Sequence, residues 1–395
     1  MKFGLLWHSF SSGNLGVGAL SLSNMMLIEE AAKKQGVEAE FVLIGSSGDC
    51  NYPPVGESLK YEFIEFSEKE FLKNPYKIYK AIKSCDAVFD IGEGDSFSDI
   101  YGKKRLIKLL VSKFMVLSAG VPLLLSPQTI GPFDTVWGRY IAAFIMKRCK
   151  EVFSRDHQST KLLEKLNVLS RCEAVDVAFY LPYGVSHDFK RNSSKKIGLS
   201  ISALLFHGGY RNNKNQFGLK TDYKKLTFHL VEELLDRGYE VHLIPHVIPK
   251  GFIEEDDYSL AEVLKERYSQ LVLAPRFRGP VEAKRYMAGL DFLIGARMHA
   301  TIGAFSAGVP VVPLAYSRKF SGLYESLDYG RVVNLKTEST ESALQEVMMC
   351  LADYEQLKND VVTSRAIISE KLAVYSANLE AFVSSLVNER SSGGK

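Results

Sequence analysis

Arg297, His299, Arg318 and Lys319 fall in two short stretches of this sequence, each just after an apolar run. Gly295-Ala296-Arg297-Met298-His299-Ala300 follows the run at 292–294 and opens a small-residue helix. Gly308-Val309-Pro310-Val311-Val312-Pro313 then leads to Tyr316-Ser317-Arg318-Lys319. An ordinary core has no use for that concentration of cations, and a helix start adds partial positive charge of its own. The chemistry this favours is the capture of a small, strongly anionic ligand, with His299 placed to move a proton. Arg155, in Ser154-Arg155-Asp156-His157, stands at another expected strand end, where a guanidinium suits a carboxylate or phosphate. Pairing with Asp156 or Glu151 is its competing use.

Three further loops carry polar groups. Asp90-Ile91-Gly92-Glu93-Gly94-Asp95-Ser96-Phe97-Ser98-Asp99 follows a hydrophobic strand, and Asp95 or Asp99 could take a proton from a hydroxyl. Asp99 could equally cap the next helix, and Glu93 could be a solvated charge. Ser126-Pro127-Gln128-Thr129-Ile130-Gly131-Pro132-Phe133 reads as a tight turn after a strand, offering Gln128 and Thr129 as hydrogen-bonding groups. Ser11-Ser12-Gly13-Asn14-Leu15-Gly16-Val17-Gly18 leads into a helix, where exposed N–H groups favour anions. Ser21 breaks the dinucleotide fingerprint, and no Gly-Lys-Ser/Thr follows to make a phosphate-binding loop.

The elements that must position these loops are legible from periodicity. Short Val/Ile/Phe-rich runs alternate with amphipathic stretches, the pattern of parallel sheets covered by helices. Strands are expected at 3–7, 41–44, 61–66, 87–91, 122–125 and 152–154, with helices at 18–34, 69–84, 101–119, 136–149 and from 156. The polar stretch at 182–196 divides the chain, and the alternation then restarts with strands at 197–201, 241–244, 271–273, 292–294, 311–313 and 332–333. The expected fold class is α/β, two doubly wound Rossmann-like domains facing a cleft. They would cover 1–185 and 196–340, with helices at 341–395 packing back on the first domain and ending in a flexible tail. Ligands in such folds bind at the carboxyl ends of the strands, which is where the polar loops fall.

Composition narrows the field. The 395 residues are 46% hydrophobic, enough for large cores, and the net charge of +3 comes with no Lys/Arg-rich run, which argues against nucleic acid as a partner. The five cysteines form no C-x-x-C pair, so neither a disulfide framework nor a metal site is expected. The apolar start breaks too early for a signal peptide, and no run of 18 apolar residues exists to span a membrane. A soluble cytoplasmic protein is expected.

In order and spacing, these motifs resemble the polysaccharide pyruvyl transferase family over roughly residues 1–330. The resemblance rests on the loops at 13–18 and 90–99, Gln128–Phe133, Ser154-Arg155-Asp156 with Ser159, Asp176-Val177-Ala178-Phe179, Arg297-x-His299 with Gly308-Val309-Pro310, and Tyr316-x-x-Lys319. It implies a fold similar to GT-B glycosyltransferases and a pyruvyl group moved from phosphoenolpyruvate to sugar hydroxyls as a ketal, with no cofactor and no metal. Arg155, Arg297, Lys319 and Arg318 would hold the donor, and His299 would be the proton donor. Asp95 or Asp99 would steer the acceptor hydroxyl, and Asn14, Gly16, Gln128 and Thr129 would line the acceptor side. The acceptor would be nucleotide-linked or lipid-linked, the latter placing the protein at the inner face of the membrane; a homo-oligomer is compatible. The chain departs from the family pattern at Val17, where an acid is usual, and at Glu93, where glycine is usual. A sugar-nucleotide glycosyltransferase gripping a ribose through Glu282 or Glu325 is the alternative enzyme, and a non-catalytic binder of an anionic ligand the alternative of another class.

Overall fold

The computed structural model describes residues 1–48, 50, 52, 61–94, 96–100, 102–185, 187, 194–210, 215–249, 251 and 253–393. The first half runs β1 (Lys2–Leu6), α1 (Leu15–Lys34), β2 (Glu40–Gly45), β3 (Tyr61–Glu65), α2 (Glu68–Lys73), α3 (Pro75–Lys83) and β4 (Ala87–Asp90). It continues through β5 (Ser96–Phe97), α4 (Lys103–Ser118), β6 (Leu123–Ile130), α5 (Val136–Met146), β7 (Glu151–Ser154), α6 (His157–Lys165) and β8 (Arg171–Glu173). The second half runs β9 (Lys196–Ser200), α7 (Ala203–Phe206), α8 (Tyr223–Asp236), β10 (Glu240–Leu243), α9 (Asp257–Arg267), β11 (Val272–Leu273) and α10 (Pro280–Met287). It then adds β12 (Phe292–Gly295), α11 (Met298–Ser306), β13 (Val311–Ala315), α12 (Arg318–Glu325), β14 (Val333–Asn334), α13 (Thr340–Ala352) and the long α14 (Tyr354–Gly393).

Each half has its own sheet with parallel pairings, ordered β3-β2-β1-β4-β6-β7-β8 with β5 beside β6, and β11-β10-β9-β12-β13-β14. Both orders reverse direction at one point, between β1 and β4 and between β9 and β12. That point opens a crevice at the carboxyl ends of the strands. The expected pair of doubly wound Rossmann-like halves is therefore what the chain adopts. Strand interiors such as Phe3, Leu5, Val88, Phe89, Ile197 and Leu293 are fully buried, as central parallel strands require.

Three local departures from the expected elements have physical causes. The helix expected over 69–84 is two, because Asn74 caps the second by accepting from Lys77 N and Pro75 can only begin it. The turn expected at 126–133 is largely strand: β6 continues to Ile130 in spite of Pro127. A register shift against β7 between Leu125 and Gln128 absorbs the missing N–H. The short strand β8 was not anticipated, since Arg171, Cys172 and Glu173 carry no apolar alternation.

Helix α14 is held to the first half by a buried stripe of Val361, Ile368, Tyr375, Leu379, Val383 and Leu386. At its centre Tyr375 donates to Asn24 Oδ1 (2.7 Å) and lies 3.1 Å from Ser126 Oγ, while Asn24 Nδ2 reaches Ser126 Oγ and His8 Nε2. Burial pushes His8 down to about 3, so it is neutral. With Nε2 accepting from Asn24, its proton sits on Nδ1 facing Leu6 O. Tyr375→Phe leaves Asn24 Oδ1 buried without its donor, so it should cost about 1–3 kcal/mol, read as a lower urea midpoint at unchanged slope.

Candidate active site

The halves meet where the loop before α1 lies on the loop after β10. Asn14 bridges Val247, Leu15 N donates to His246 O (3.1 Å) and Ile248 N to Gly13 O (2.8 Å). Glycine is required at two of these contacts. A Cβ on Gly13 would come within 2.7 Å of Pro249 Cα, and one on Gly16 within 2.3 Å of His299 Nδ1.

Above this floor opens a cavity of about 460 Å³. The first half supplies Ser12, Asn14 and Val17 after β1, Glu93 and Gly94 after β4, and Arg105 from α4. Facing them are His246 after β10, Arg297 and His299 after β12, and Tyr316 and Lys319 after β13. Residues far apart in sequence thus converge because each follows a strand on the same edge of its sheet.

The polar groups are tightly arranged. Arg297 makes a fork to Asp257, with Nε 2.9 Å from Oδ2 and Nη2 2.6 Å from Oδ1, leaving Nη1 outside the fork. Asp257 is itself fully buried and also accepts from Ala203 N, His246 N and Val247 N. Burial disfavours the charge on Arg297, but Asp257 outweighs it and the guanidinium is held protonated. Burial pushes the Lys319 ammonium down to about 7. His246 is pushed down to about 3 by burial, then by its neighbours His299 and Arg297. Both of its ring nitrogens are buried without a hydrogen-bond partner.

His299 occupies the first turn of α11, with Nε2 buried and 3.6 Å from Asp176 Oδ2, beyond hydrogen-bond reach. The same oxygen of Asp176 accepts from Arg155 Nη1 at 2.6 Å, and Oδ1 accepts from Ala178 N. Burial raises the Asp176 pKa, but Arg155 and His299 together outweigh burial and hold it below the ordinary value. The result is a buried Arg155–Asp176–His299 series joining the first half to the second.

The other expected site residues have different places. Arg155 does not line the cavity; it is 1% exposed and committed to Asp176 and Thr129. Gln128 and Thr129 lie inside the sheet because β6 runs past them. Gln128 Nε2 donates to Asp90 O, and Thr129 donates to Asp156 Oδ2. Asp99 accepts from Asp134 N and from Thr135 N and Oγ1, which fastens the entry to α5 and not α4. Arg318 donates to Ile130 O across the halves, outside the cavity lining. Asn14 lines the cavity and caps α1 by accepting from Gly16 N. Asp95 lies outside the described residues. Of the two candidates for gripping a ribose, Glu325 is exposed, and Glu282 accepts from Arg278 N in a separate pocket.

Glu93 stands out on the first-half wall. It holds a left-handed conformation, φ 60°, rarely adopted without glycine. Its carboxylate accepts from Ser46 Oγ and Lys108 Nζ, both at 2.9 Å, with Arg105 Nε at 3.5 Å. A side chamber of about 190 Å³ opens behind it, lined by His8, Ser9, Ser12, Ser46 and Ser47. Trp7, also at positive φ (61°), forms its end. Strained backbone of this kind gathers at functional sites. His246 and Asp257 escaped the sequence reading. His246 was findable by the rule that found Arg297, a polar residue just after an apolar strand.

The fold is shared with solved structures of low sequence identity. A putative UDP-N-acetylglucosamine 2-epimerase from Listeria monocytogenes superposes with TM-score 0.60 at 11% identity, covering 96% of this chain and 97% of that one. Sucrose-phosphate synthase from Thermosynechococcus elongatus gives 0.59 at 9% identity, covering 98% and 99%. Anabaena HepE, in complex with UDP and glucose, gives 0.54 at 14% identity, covering 98% and 100%. These likenesses establish the two-domain GT-B architecture. In sequence, the amylovoran biosynthesis protein AmsJ of Erwinia amylovora is 22% identical over 307 residues, which are 74% of this chain and 71% of that protein. The polysaccharide pyruvyl transferase model matches residues 14–318, and the chain belongs to that family.

Proposed function

We propose that this protein transfers the pyruvyl group of phosphoenolpyruvate to hydroxyls of a sugar, forming a ketal on a cell-surface polysaccharide or its lipid- or nucleotide-linked precursor. The observation that carries the reading is the convergence of Arg297, His299, Lys319 and neutral His246 on one wall of a single cavity. The wall suits a compact anion. Arg297 Nη1, Lys319 and the first turn of α11 meet phosphate and carboxylate, and His246 offers one donor and one acceptor. Membership of the family and the likeness to AmsJ, a protein named for amylovoran biosynthesis, support the choice of anion and acceptor.

In the reaction, a proton passes from His299 to C3 of phosphoenolpyruvate, and C2 becomes electrophilic. With Nε2 turned to Asp176, Nδ1 against Gly16 is the nitrogen that delivers it. Asp176 is a positioning residue: it faces Nε2 and orients the ring, while Arg155 holds the carboxylate. The sugar hydroxyl attacks C2 from the first-half wall, where Glu93 and the serines of the side chamber orient it. Phosphate leaves, a neighbouring hydroxyl attacks C2 to close the ketal, and the two hydroxyl protons pass one to the departing phosphate and one back to His299. Asp99, tied to Thr135, has no part in this scheme.

The decisive experiment follows phosphate release and product mass with phosphoenolpyruvate and a panel of acceptor sugars. Thermal shift with phosphoenolpyruvate against UDP separates this reading from the sugar-nucleotide one: a ligand at about 100 times its Kd stabilises by about 2.7 kcal/mol, and only UDP doing so would overturn the proposal. His299→Ala should lower kcat by about 10²–10⁴-fold with the fold intact. Asp176→Asn leaves Arg155 buried beside a neutral partner, so about 3–5 kcal/mol of stability should go together with activity. Anion binding should raise the pKa of Lys319 from about 7, so it takes up a proton. Donor Kd should therefore rise as pH climbs through neutrality, and this dependence should flatten in Lys319→Gln.

A further inference from the structure

Helices α4 and α5 pack side by side and expose an apolar face that nothing among the described residues covers. Phe114, Val136, Trp137, Tyr140, Ile141 and Phe144 are exposed, three of them by more than half: Phe114 55%, Val136 60% and Tyr140 71%. On α5 the five fall at 136, 137, 140, 141 and 144, the spacing of one helical face. Their turn of the helix is not a core face that lost its partner, because α5 buries Gly138, Ala142, Ala143, Ile145 and Met146 on its other side. Exposed Ile107 extends the face along α4.

The surroundings of this face carry one sign of charge. Lys103, Lys104, Arg139, Lys147, Arg148 and Lys150 are exposed, and among the described residues none of them forms an ion pair. Asp134 is the single exposed acid among the described residues from 100 to 150. Lys147 and Arg148 line the same shallow groove as Phe114, Tyr140 and Phe144, with the Arg148 guanidinium 3.5 Å above the Phe144 ring. Aromatic side chains next to unpaired cations form the surface of a helix that lies in a lipid headgroup layer, where rings enter the acyl boundary and cations meet phosphates. A second copy of this chain fits less well, because a two-fold contact would bring Lys147 and Arg148 close to their own images. The chain-wide net charge of +3 means that this basic rim is local and not a property of the whole surface.

We propose that the α4–α5 face docks the protein peripherally on an anionic phospholipid bilayer. None of the described helices is long and apolar enough to cross a membrane, and docking through this surface is reversible. The inference is independent of the chemistry assigned to the cavity. It bears on access to that cavity, since Arg105 in the first turn of α4 lines it.

Co-sedimentation of the full chain with vesicles of phosphatidylcholine alone, and of phosphatidylcholine mixed with phosphatidylglycerol, tests the proposal. Binding is expected to the anionic vesicles and to fall as salt rises. The combined variant Trp137→Ser, Tyr140→Ser, Phe144→Ser and the pair Lys147→Gln, Arg148→Gln should each weaken binding by about tenfold or more, with Tm and phosphoenolpyruvate binding unchanged. No sedimentation of the wild type with anionic vesicles overturns the proposal. So does equal binding by both variants, and so does a dimer in solution that the aromatic variant dissociates while vesicles capture nothing. Because the readout is lipid binding, it stands or falls separately from the pyruvyl transfer reaction.

Discussion

The carboxylate of Asp176 is fully buried, and the groups that face it from two directions, with Ala178 N, favour its charge there. Arg155, from the same half, supplies a full ion pair at 2.6 Å, and His299, from the other half, stands 3.6 Å away on the same oxygen. A buried ion pair contributes little net stability against an apolar alternative, while losing one member is severe. Its value here is therefore positional. The first half of the chain fixes a charge, and that charge fixes where the imidazole of the second half can sit. Gly16, with no side chain, gives the ring the space to do so. The cavity, the closure of the two halves and the placement of α11 all follow from this constraint.

The same arrangement alters how the cluster of cations should be understood. From the sequence, Arg155, Arg297, Arg318 and Lys319 look like four hands on one anion. In the folded chain Arg155 belongs to Asp176, Arg297 is forked on Asp257 and Arg318 reaches Ile130 O. The cavity is therefore nearer to electrical balance than the sequence implies. Under the proposed reaction, the groups left to meet the donor are Arg297 Nη1, Lys319 and the neutral His246. A guanidinium already neutralised by a buried carboxylate is a rigid pair of hydrogen-bond donors more than a point charge.

How much of this was legible in the sequence depended on the range of the interaction that decides each feature. Alternation placed the strands and most helices, since a parallel sheet buried on both faces leaves a local apolar signature. The strand-end rule singled out Arg297, His299 and Lys319, which line the cavity. It failed where a long-range contact decides: Pro127 reads as a turn until the register shift against β7 is known, and Arg155 reads as a ligand until Asp176 arrives from 21 residues away. Gln128 and Thr129 were misplaced for the first of these reasons. Glu93 reads from sequence as a solvated loop charge and a departure from a family pattern. Its bond to Ser46 and ion pair with Lys108 could not be read from neighbours in sequence.

Helix α14 also bears on the order in which the protein can be made. Tyr375 completes a polar network with Asn24 across 351 residues of chain. A ribosome adding about 5–20 residues per second needs on the order of 10–40 s to pass from Glu173, where the first sheet is complete, to Tyr375. During that interval the first sheet exists without its cover, with Asn24 and Ser126 lacking the tyrosine hydroxyl and the apolar stripe of α14 not yet synthesised. The first half emerges early but is finished late, so the nascent chain passes through a long stage in which one face of its oldest domain is open to other molecules.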